Sequence, residues 1–379
     1  MAYGTESILI ALVAYGLAAR WFSLPISLII VILLFTLIIS YRQVINGYPK
    51  GGGAYAVAKD NYNPLMSLIA CAALLVDYTL TVAVSGTAAV AAITSAFPQL
   101  LPFNVELSVL GVALVAFINL RGVREAGTIF CFSDLLFLFS IFFALLAAGF
   151  YQVITQGIPS AAISMPAHIP AGVTLYVLLR AFSSGCSALT GVEAISNATP
   201  AFQEPTVKNA KATLLYLGIL LFLMFSGTSI LANLYGIAPT ETGNPTVLSQ
   251  IASTLFGSSW LYYSVQISTA LVLFLATNTA FAGFPLLAAI VAQDGYMPRQ
   301  FHARGDRLAL NFGIVVLSVM SALLIIAFRA KTDALVPLYA IGVFLSFTVA
   351  QTGMVKKKWL KEKNRPVGNR RYSSTVWVL

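Results

Sequence analysis

The sequence predicts an all-α integral membrane protein with about ten transmembrane helices. Hydrophobic residues make up 59% of the 379 residues, and charged residues make up only 9%. An average soluble domain carries about 25% charged residues, because its surface faces water. The apolar residues form long runs rather than the short alternating segments of a membrane β-barrel. This composition excludes soluble enzymes, disulfide-rich secreted proteins and disordered chains.

The apolar runs give the predicted spans in order. A helix needs about 20 apolar residues to cross a bilayer. A short run, 6–19, opens the chain and is interpreted as a truncated first helix. Nine further runs lie near 24–45, 65–95, 105–120, 128–150, 174–190, 212–235, 260–292, 310–328 and 333–353. Because another apolar run begins as the chain stops, we expect a fragment or a shortened gene product.

The distribution of basic residues predicts the orientation. With the N-terminus inside, 18 of the 22 Lys and Arg residues fall in cytoplasmic segments, as the positive-inside rule requires. The segments 151–173 and 236–259 then become long outside loops. We therefore expect a plasma-membrane protein with both termini in the cytoplasm. Residues 1–355 form the transmembrane core, and 356–379 form a basic cytoplasmic tail that opens a missing C-terminal region.

The sixth span contains a predicted break. The segment 181–204 mixes serines, a Thr-Gly pair and Glu193 with apolar residues. We expect a half-helix to about Leu189, an unwound turn at 190–192 and a second short helix. Discontinuous membrane helices expose carbonyl groups and helix ends that coordinate ions or substrates. The alternative is a span that ends at Leu189 and continues as a cytoplasmic loop.

The start of the chain repeats this pattern. Tyr3-Gly4-Thr5-Glu6 has the same Gly-x-Glu spacing as Gly191-Val192-Glu193, and the two copies lie five spans apart. Since five is odd, the second copy crosses the membrane in the opposite sense. The pattern predicts an inverted repeat of five plus five helices, over about 1–155 and 172–355, with Gly4 and Gly191 as hinges.

The third span carries a row of polar side chains. Asp77, Thr81 and Ser85 follow one another at intervals of four and therefore share one helix face. Such groups are costly in a bilayer unless they face a polar cavity or a partner. Oxygen ligands without His or Cys suit a hard cation rather than a transition metal. The alternative is an aspartate that serves only in packing.

Several functional classes lack their motifs. The loop 47–55 lacks the Gly-Lys-Ser/Thr ending of a phosphate loop, and the two histidines lie in opposite loops and form no zinc pair. No nucleophile–base motif is visible, so we expect neither an enzyme nor a resident cofactor. The basic excess belongs to the cytoplasmic loops, so we expect no nucleic-acid partner.

Five segments carry a resemblance to a known family. They are AYGTESILI, SYRQVINGYPKGGGAY, LLVDYTLTVAVS, AFSSGCSALTGVEAISNATPAF and YMPRQFHARGDRL. Together they resemble the KimA-type potassium importers of the amino acid–polyamine–organocation (APC) superfamily, over essentially the whole chain. The resemblance implies the LeuT-like fold, a secondary transporter with alternating access, and potassium uptake coupled to protons.

The resemblance also implies a binding set. Potassium would be coordinated by hydroxyl or carbonyl oxygens of Tyr3, Asp77, Thr81, Ser85, Thr190, Glu193 and Tyr339, with Glu193 or Asp77 as the proton carrier. Tyr339 by itself reads as a packing residue, and only the resemblance raises it to a ligand.

The chain departs from this family in two ways. The family has an aspartate before the AYGTE motif, and it has two further spans and a cytoplasmic domain that helps to hold a homodimer. This sequence contains neither. Two alternatives therefore stay open, an APC-type amino-acid permease and an inactive truncated membrane fragment.

Overall fold

The structure is a computed structural model. It describes residues 4–15, 17–49, 51, 53–121, 134–157, 173–197, 199–240, 243–302 and 310–363. Within these ranges the chain is helical and contains no strand. The helices are α1 Gly4–Val13, α2 Ser23–Gly47, α3 Gly53–Asn61, α4 Pro64–Ala96, α5 Asn104–Arg121, α6 Ala148–Gln156, α7 Leu175–Gly185, α8 Val192–Asn197, α9 Thr206–Leu234, α10 Val247–Phe256, α11 Trp260–Gln293, α12 Asn311–Ala327 and α13 Thr332–Lys363. A π-helix, Phe139–Ala147, leads into α6.

The described residues confirm a multi-pass membrane protein. Eight helical segments are long and apolar enough to cross a bilayer, and each corresponds to a predicted span. The two other predicted spans are shorter apolar helices, α1 with 10 residues and α12 with 17 residues. The segment 128–133 of the predicted fifth span lies outside the described residues.

The predicted outside loop 236–259 contains a helix. This helix is α10, and Thr246 is its N-cap. The Thr246 hydroxyl accepts a hydrogen bond from the Ser249 backbone N–H at 3.2 Å, which satisfies a free donor of the first turn. The helix α10 contributes the buried side chains of Val247, Leu248 and Ile251 to an apolar cluster. A ten-residue helix is too short to give a span signal, so hydropathy alone missed it.

The chain divides into two compact units. Unit 1 comprises 1–31, 78–188 and 221–340, and unit 2 comprises 32–77, 189–220 and 341–379. Each unit therefore draws on both halves of the sequence.

Small residues set the helix packing inside unit 1. Gly4 lies against Ala188, with the ideal Cβ position only 2.7 Å from the Ala188 Cβ. Gly185 lies against Ile8 and Ile30 so closely that a methyl group at this position would clash with both. Without a strong hydrophobic drive between helices in lipid, such small residues permit the close packing that holds membrane helices together.

Unit 2 is packed in the same way. Gly353 of α13 packs against Val57 of α3, with 2.7 Å between the ideal Cβ position of Gly353 and a Val57 methyl carbon. The rings of Tyr41 and Phe347 meet edge to face, with centroids 5.7 Å apart. Gly218 of α9 packs directly on Ile38 of α2, and no room is left for a Cβ. These contacts join α13 to α2 and α3, and α9 to α2.

Candidate functional site

The sixth predicted span is broken where the sequence predicts a break. The helix α7 ends at Gly185 and continues as a 3-10 turn, Cys186–Leu189. Thr190 and Gly191 then form a turn, and α8 begins at Val192. Gly191 has a φ of +90°, a conformation that glycine adopts without a Cβ clash. Six residues after the turn are helical again, as the broken-helix prediction expects.

Glu193 lies in the first turn of α8 and is buried in unit 2, with 7% of its surface exposed. Its Oε2 accepts a hydrogen bond at 3.0 Å from the Ser346 hydroxyl on α13. The Ala54 backbone and the Tyr41 hydroxyl also interact with this carboxyl. Polar groups of three other elements therefore surround one buried acid.

Asp77 is a second acid of unit 2 and lies near Glu193. It lies close enough to Glu193 for the two carboxyls to interact electrostatically. Its Oδ1 is buried and has no hydrogen-bond partner among the described residues. Gly342 of α13 packs against the backbone of Asp77, with 3.5 Å between the ideal Cβ position of Gly342 and the Asp77 backbone nitrogen. In the described part of the chain neither Asp77 nor Glu193 is paired with a Lys or Arg.

Unit 1 contains the remaining predicted residues that the structure describes. The Thr81 hydroxyl donates to the Tyr339 hydroxyl at 3.2 Å. Tyr339 is 1% exposed, and Ser85, one turn beyond Thr81, is also 1% exposed. Gly4 starts α1 against Ala188. Tyr3 lies outside the described residues.

The predicted residues thus form two local groups. Within unit 2, Asp77 lies near Glu193, and Thr190 and Gly191 form the turn directly before it. Within unit 1, Thr81 contacts Tyr339. In both groups the polar side-chain atoms are oxygens, and among the described residues no group of three or more His, Cys, Asp and Glu side chains is arranged to hold a metal ion. Oxygen donors with acidic side chains match the preference of an alkali or alkaline-earth cation, or of an amine.

The sequence profile of the amino acid permease family matches residues 1–379. The chain belongs to the amino acid permease family. It is therefore a transporter-family protein and not an enzyme.

Two relatives of this permease show how far the likeness extends. The potassium transporter KimA of Bacillus subtilis is 50% identical over 364 residues, which cover 96% of this chain and 59% of the relative. The low-affinity putrescine importer PlaP of Escherichia coli is 21% identical over 350 residues, which cover 88% of this chain and 73% of the relative. The permease chain thus spans less than two thirds of the length of its Bacillus relative.

Two features of the structure have no clear signal in the sequence. The first is Ser346, whose single hydroxyl proton lies between two acceptors, Glu193 Oε2 at 3.0 Å and the Val343 carbonyl at 2.9 Å. A serine in an apolar helix usually bonds to its own backbone, so its sequence neighbourhood gives no sign of a distant acid.

The second feature is a cavity of about 300 Å³ inside unit 1, lined by two acidic and two basic side chains. Glu6 and Asp333 line it and interact electrostatically, and Arg329 and Lys331 line it as well. Glu6 is only 8% exposed. The sequence contains a signal for Glu6, because Glu6 follows Gly4 by two residues, just as Glu193 follows Gly191.

Proposed function

We propose that this chain is the membrane core of a secondary active transporter that takes up potassium together with a proton by alternating access. The observation that carries the proposal is the buried carboxyl pair of Asp77 and Glu193 beside the helix break. Ionised groups are expensive inside a membrane protein unless a partner balances them. A bound cation balances such a pair in one state, and a proton balances it in another. The 50% identity to a protein named as a potassium transporter supports this choice of cation.

Each proposed ligand contributes an oxygen. The hydroxyls of Tyr3, Thr81, Ser85, Thr190 and Tyr339 and the carboxyls of Asp77 and Glu193 coordinate potassium, and Glu193 or Asp77 carries the proton. The Ser346 hydroxyl holds Glu193 in place for this task. An inside-negative potential of roughly 100 mV favours the inward movement of one charge by about 2.3 kcal/mol.

The proposal includes the topology and the location. The ten spans form a LeuT-like inverted repeat of about 1–155 and 172–355, with Gly4 and Gly191 at equivalent hinges. Both termini face the cytoplasm of a cell whose plasma membrane holds the protein, because 18 of 22 basic residues then lie inside. A homodimer is proposed for the longer protein.

A second candidate is import of an amino acid or another amine. The family profile and the relative named as a putrescine importer favour it. An ammonium group would take the place of potassium beside Asp77 and Glu193. Competition separates the two candidates, because potassium displaces rubidium from a potassium site, whereas an amine site responds to the amine.

The test is rubidium uptake into proteoliposomes under an inward proton gradient. The chain is compared with a fusion that adds the segments of the Bacillus relative that lie beyond the match. Asp77→Asn and Glu193→Gln keep the shape of each side chain and remove its charge. Asp60→Asn and Glu204→Gln make the same chemical changes at exposed acids and serve as matched controls.

We expect uptake that potassium inhibits and amino acids or putrescine do not. Both site variants should lose at least nine tenths of the uptake, and both controls should keep it. Uptake that survives in Asp77→Asn and Glu193→Gln would overturn the site. Uptake that responds to putrescine or an amino acid but not to potassium would overturn the substrate. If the fusion protein is folded but moves none of these solutes, the transport function is refuted and only the fold assignment stands.

A further inference from the structure

A groove between α2 and α9 in unit 2 combines basic and apolar walls. Its volume is about 530 Å³. Arg42, in the last turns of α2, and Lys208 and Lys211, in the first turns of α9, contribute three cations. Among the described residues none of these three side chains has an acidic partner. Three unpaired cations around one groove repel one another and favour an anion between them.

The helix geometry explains why the groove has this form. Lys208, Lys211, Ala212 and Leu215 recur at intervals of three and four residues and so lie along one face of α9. Gly218 follows on this face and packs directly on Ile38. The two helices are therefore closest at this glycine, and the groove lies between them on the side toward the basic ends of both helices.

The apolar part of the groove continues onto the exposed surface of the two helices. Leu215 is 38% exposed and Ile219, one turn further along α9, is 42% exposed. On α2, Ile39 lies one turn from Arg42 and is 43% exposed, and Phe35 lies a further turn along and is 39% exposed. Each helix thus carries cations near its end and exposed apolar side chains next to them, toward the middle of the predicted span.

We propose that this groove binds an anionic phospholipid of the surrounding bilayer. The three cations would hold the phosphate of the headgroup, and the apolar rows would guide an acyl chain along α2 and α9. Basic pockets between membrane helices are the places where such headgroups bind. A soluble anion would use the cations but not the apolar rows, and a zwitterionic lipid would use the apolar rows with little gain from the cations. The combination favours a lipid that carries a net negative charge.

The experiment measures the apparent Kd for the first bound lipid by native mass spectrometry of the purified chain. Phosphatidylglycerol and phosphatidylcholine are titrated in parallel. The groove variant is Arg42→Gln with Lys208→Gln and Lys211→Gln. The matched control removes three exposed cations elsewhere, with Lys59→Gln, Arg121→Gln and Arg299→Gln. Ala212→Trp, in a second variant, fills the groove without changing the charge.

We expect the chain to prefer phosphatidylglycerol. A cation near an anionic lipid surface contributes about 1 kcal/mol, which is about a fivefold change in Kd. The groove variant should therefore weaken phosphatidylglycerol binding by about a hundredfold, and the control variant should leave it within about threefold. Ala212→Trp should weaken binding by about tenfold, while each variant keeps the helical circular dichroism spectrum of the parent chain.

Three outcomes would overturn the proposal. The first is equal affinity for phosphatidylcholine and phosphatidylglycerol. The second is a control variant that loses as much affinity as the groove variant, because the effect would then be one of total charge. The third is displacement of phosphatidylglycerol by an equal concentration of inorganic phosphate, because the groove would then be a site for a soluble anion.

Discussion

Replacing Ser346 by alanine should destabilise the protein more than the loss of an ordinary buried hydroxyl. Ser346 is completely buried, and its single hydroxyl proton has two acceptors within reach, the Val343 carbonyl of its own helix at 2.9 Å and Glu193 Oε2 at 3.0 Å. A hydrogen bond between neutral groups is worth about 1 kcal/mol, whereas a hydrogen bond to a charged group is worth about 1.5–3 kcal/mol. When Glu193 is ionised, its carboxylate is the stronger of the two acceptors.

Ser268 is a matched control for the first of these bonds. It is also completely buried, and its hydroxyl donates to the Val265 carbonyl three residues earlier in the same helix. Ser268→Ala therefore removes the equivalent of the Val343 bond alone. We expect the free energy of unfolding to fall by about 1 kcal/mol in Ser268→Ala and by roughly 1.5–3 kcal/mol in Ser346→Ala. The difference between the two variants reports the extra contribution of the Glu193 carboxyl as acceptor.

The assay is thermal unfolding of the protein in detergent, combined with a double-mutant cycle. Glu193→Gln is made alone and together with Ser346→Ala, and the cycle gives the coupling between the two side chains. We expect a coupling of about 1–2 kcal/mol. Equal loss of stability in Ser346→Ala and Ser268→Ala, with a coupling near zero, would refute the reasoning, because Ser346 would then contribute only its local helix bond.

Three further predictions concern the helix contacts and the break. Gly185→Ala should reduce stability by about 1–3 kcal/mol through a clash with Ile8, and Ile8→Val should restore part of the loss, as measured by the same thermal unfolding. Gly191→Ala should reduce the free energy of unfolding by about 1–2 kcal/mol, because residue 191 has a φ of +90°, and it should also lower rubidium uptake. A steric clash is not the reason, because among the described residues, apart from the chain neighbours, no heavy atom lies within 4 Å of the added methyl. Thr81→Val and Tyr339→Phe should lower uptake to a similar degree, and the double variant should be no worse than either single one.

The amino-acid sequence predicts the spans of this protein well, because hydropathy over about 20 residues is a strong signal. It also locates the break at Thr190 and Gly191, since a Thr-Gly pair and an acid interrupt an otherwise apolar helix. It misses α10, because Val247–Phe256 is apolar on one side only over ten residues and lies between long spans. Length, rather than composition, therefore limits the prediction of the fold.

The candidate site is predicted unevenly for a related reason. Asp77 and Glu193 stand out because a carboxyl in a membrane helix is costly and rare. Ser346 does not stand out, because serines are common in membrane helices and bond to their own backbone. Glu6 is predicted only in part. The Gly-x-Glu repeat in the sequence marks it, but its cavity with Asp333 becomes visible only in the structure.

Glu6 and Glu193, the acids that follow Gly4 and Gly191, share a local environment. Glu6 and Glu193 each follow a glycine by two residues and each begin a helix whose first backbone N–H groups have no partner within the helix. An acid in this place is stabilised by the positive end of the helix dipole. Each acid has a second acid as an electrostatic neighbour, Asp333 for Glu6 and Asp77 for Glu193. A Gly-x-Glu segment with a second acid nearby therefore occurs once in each unit.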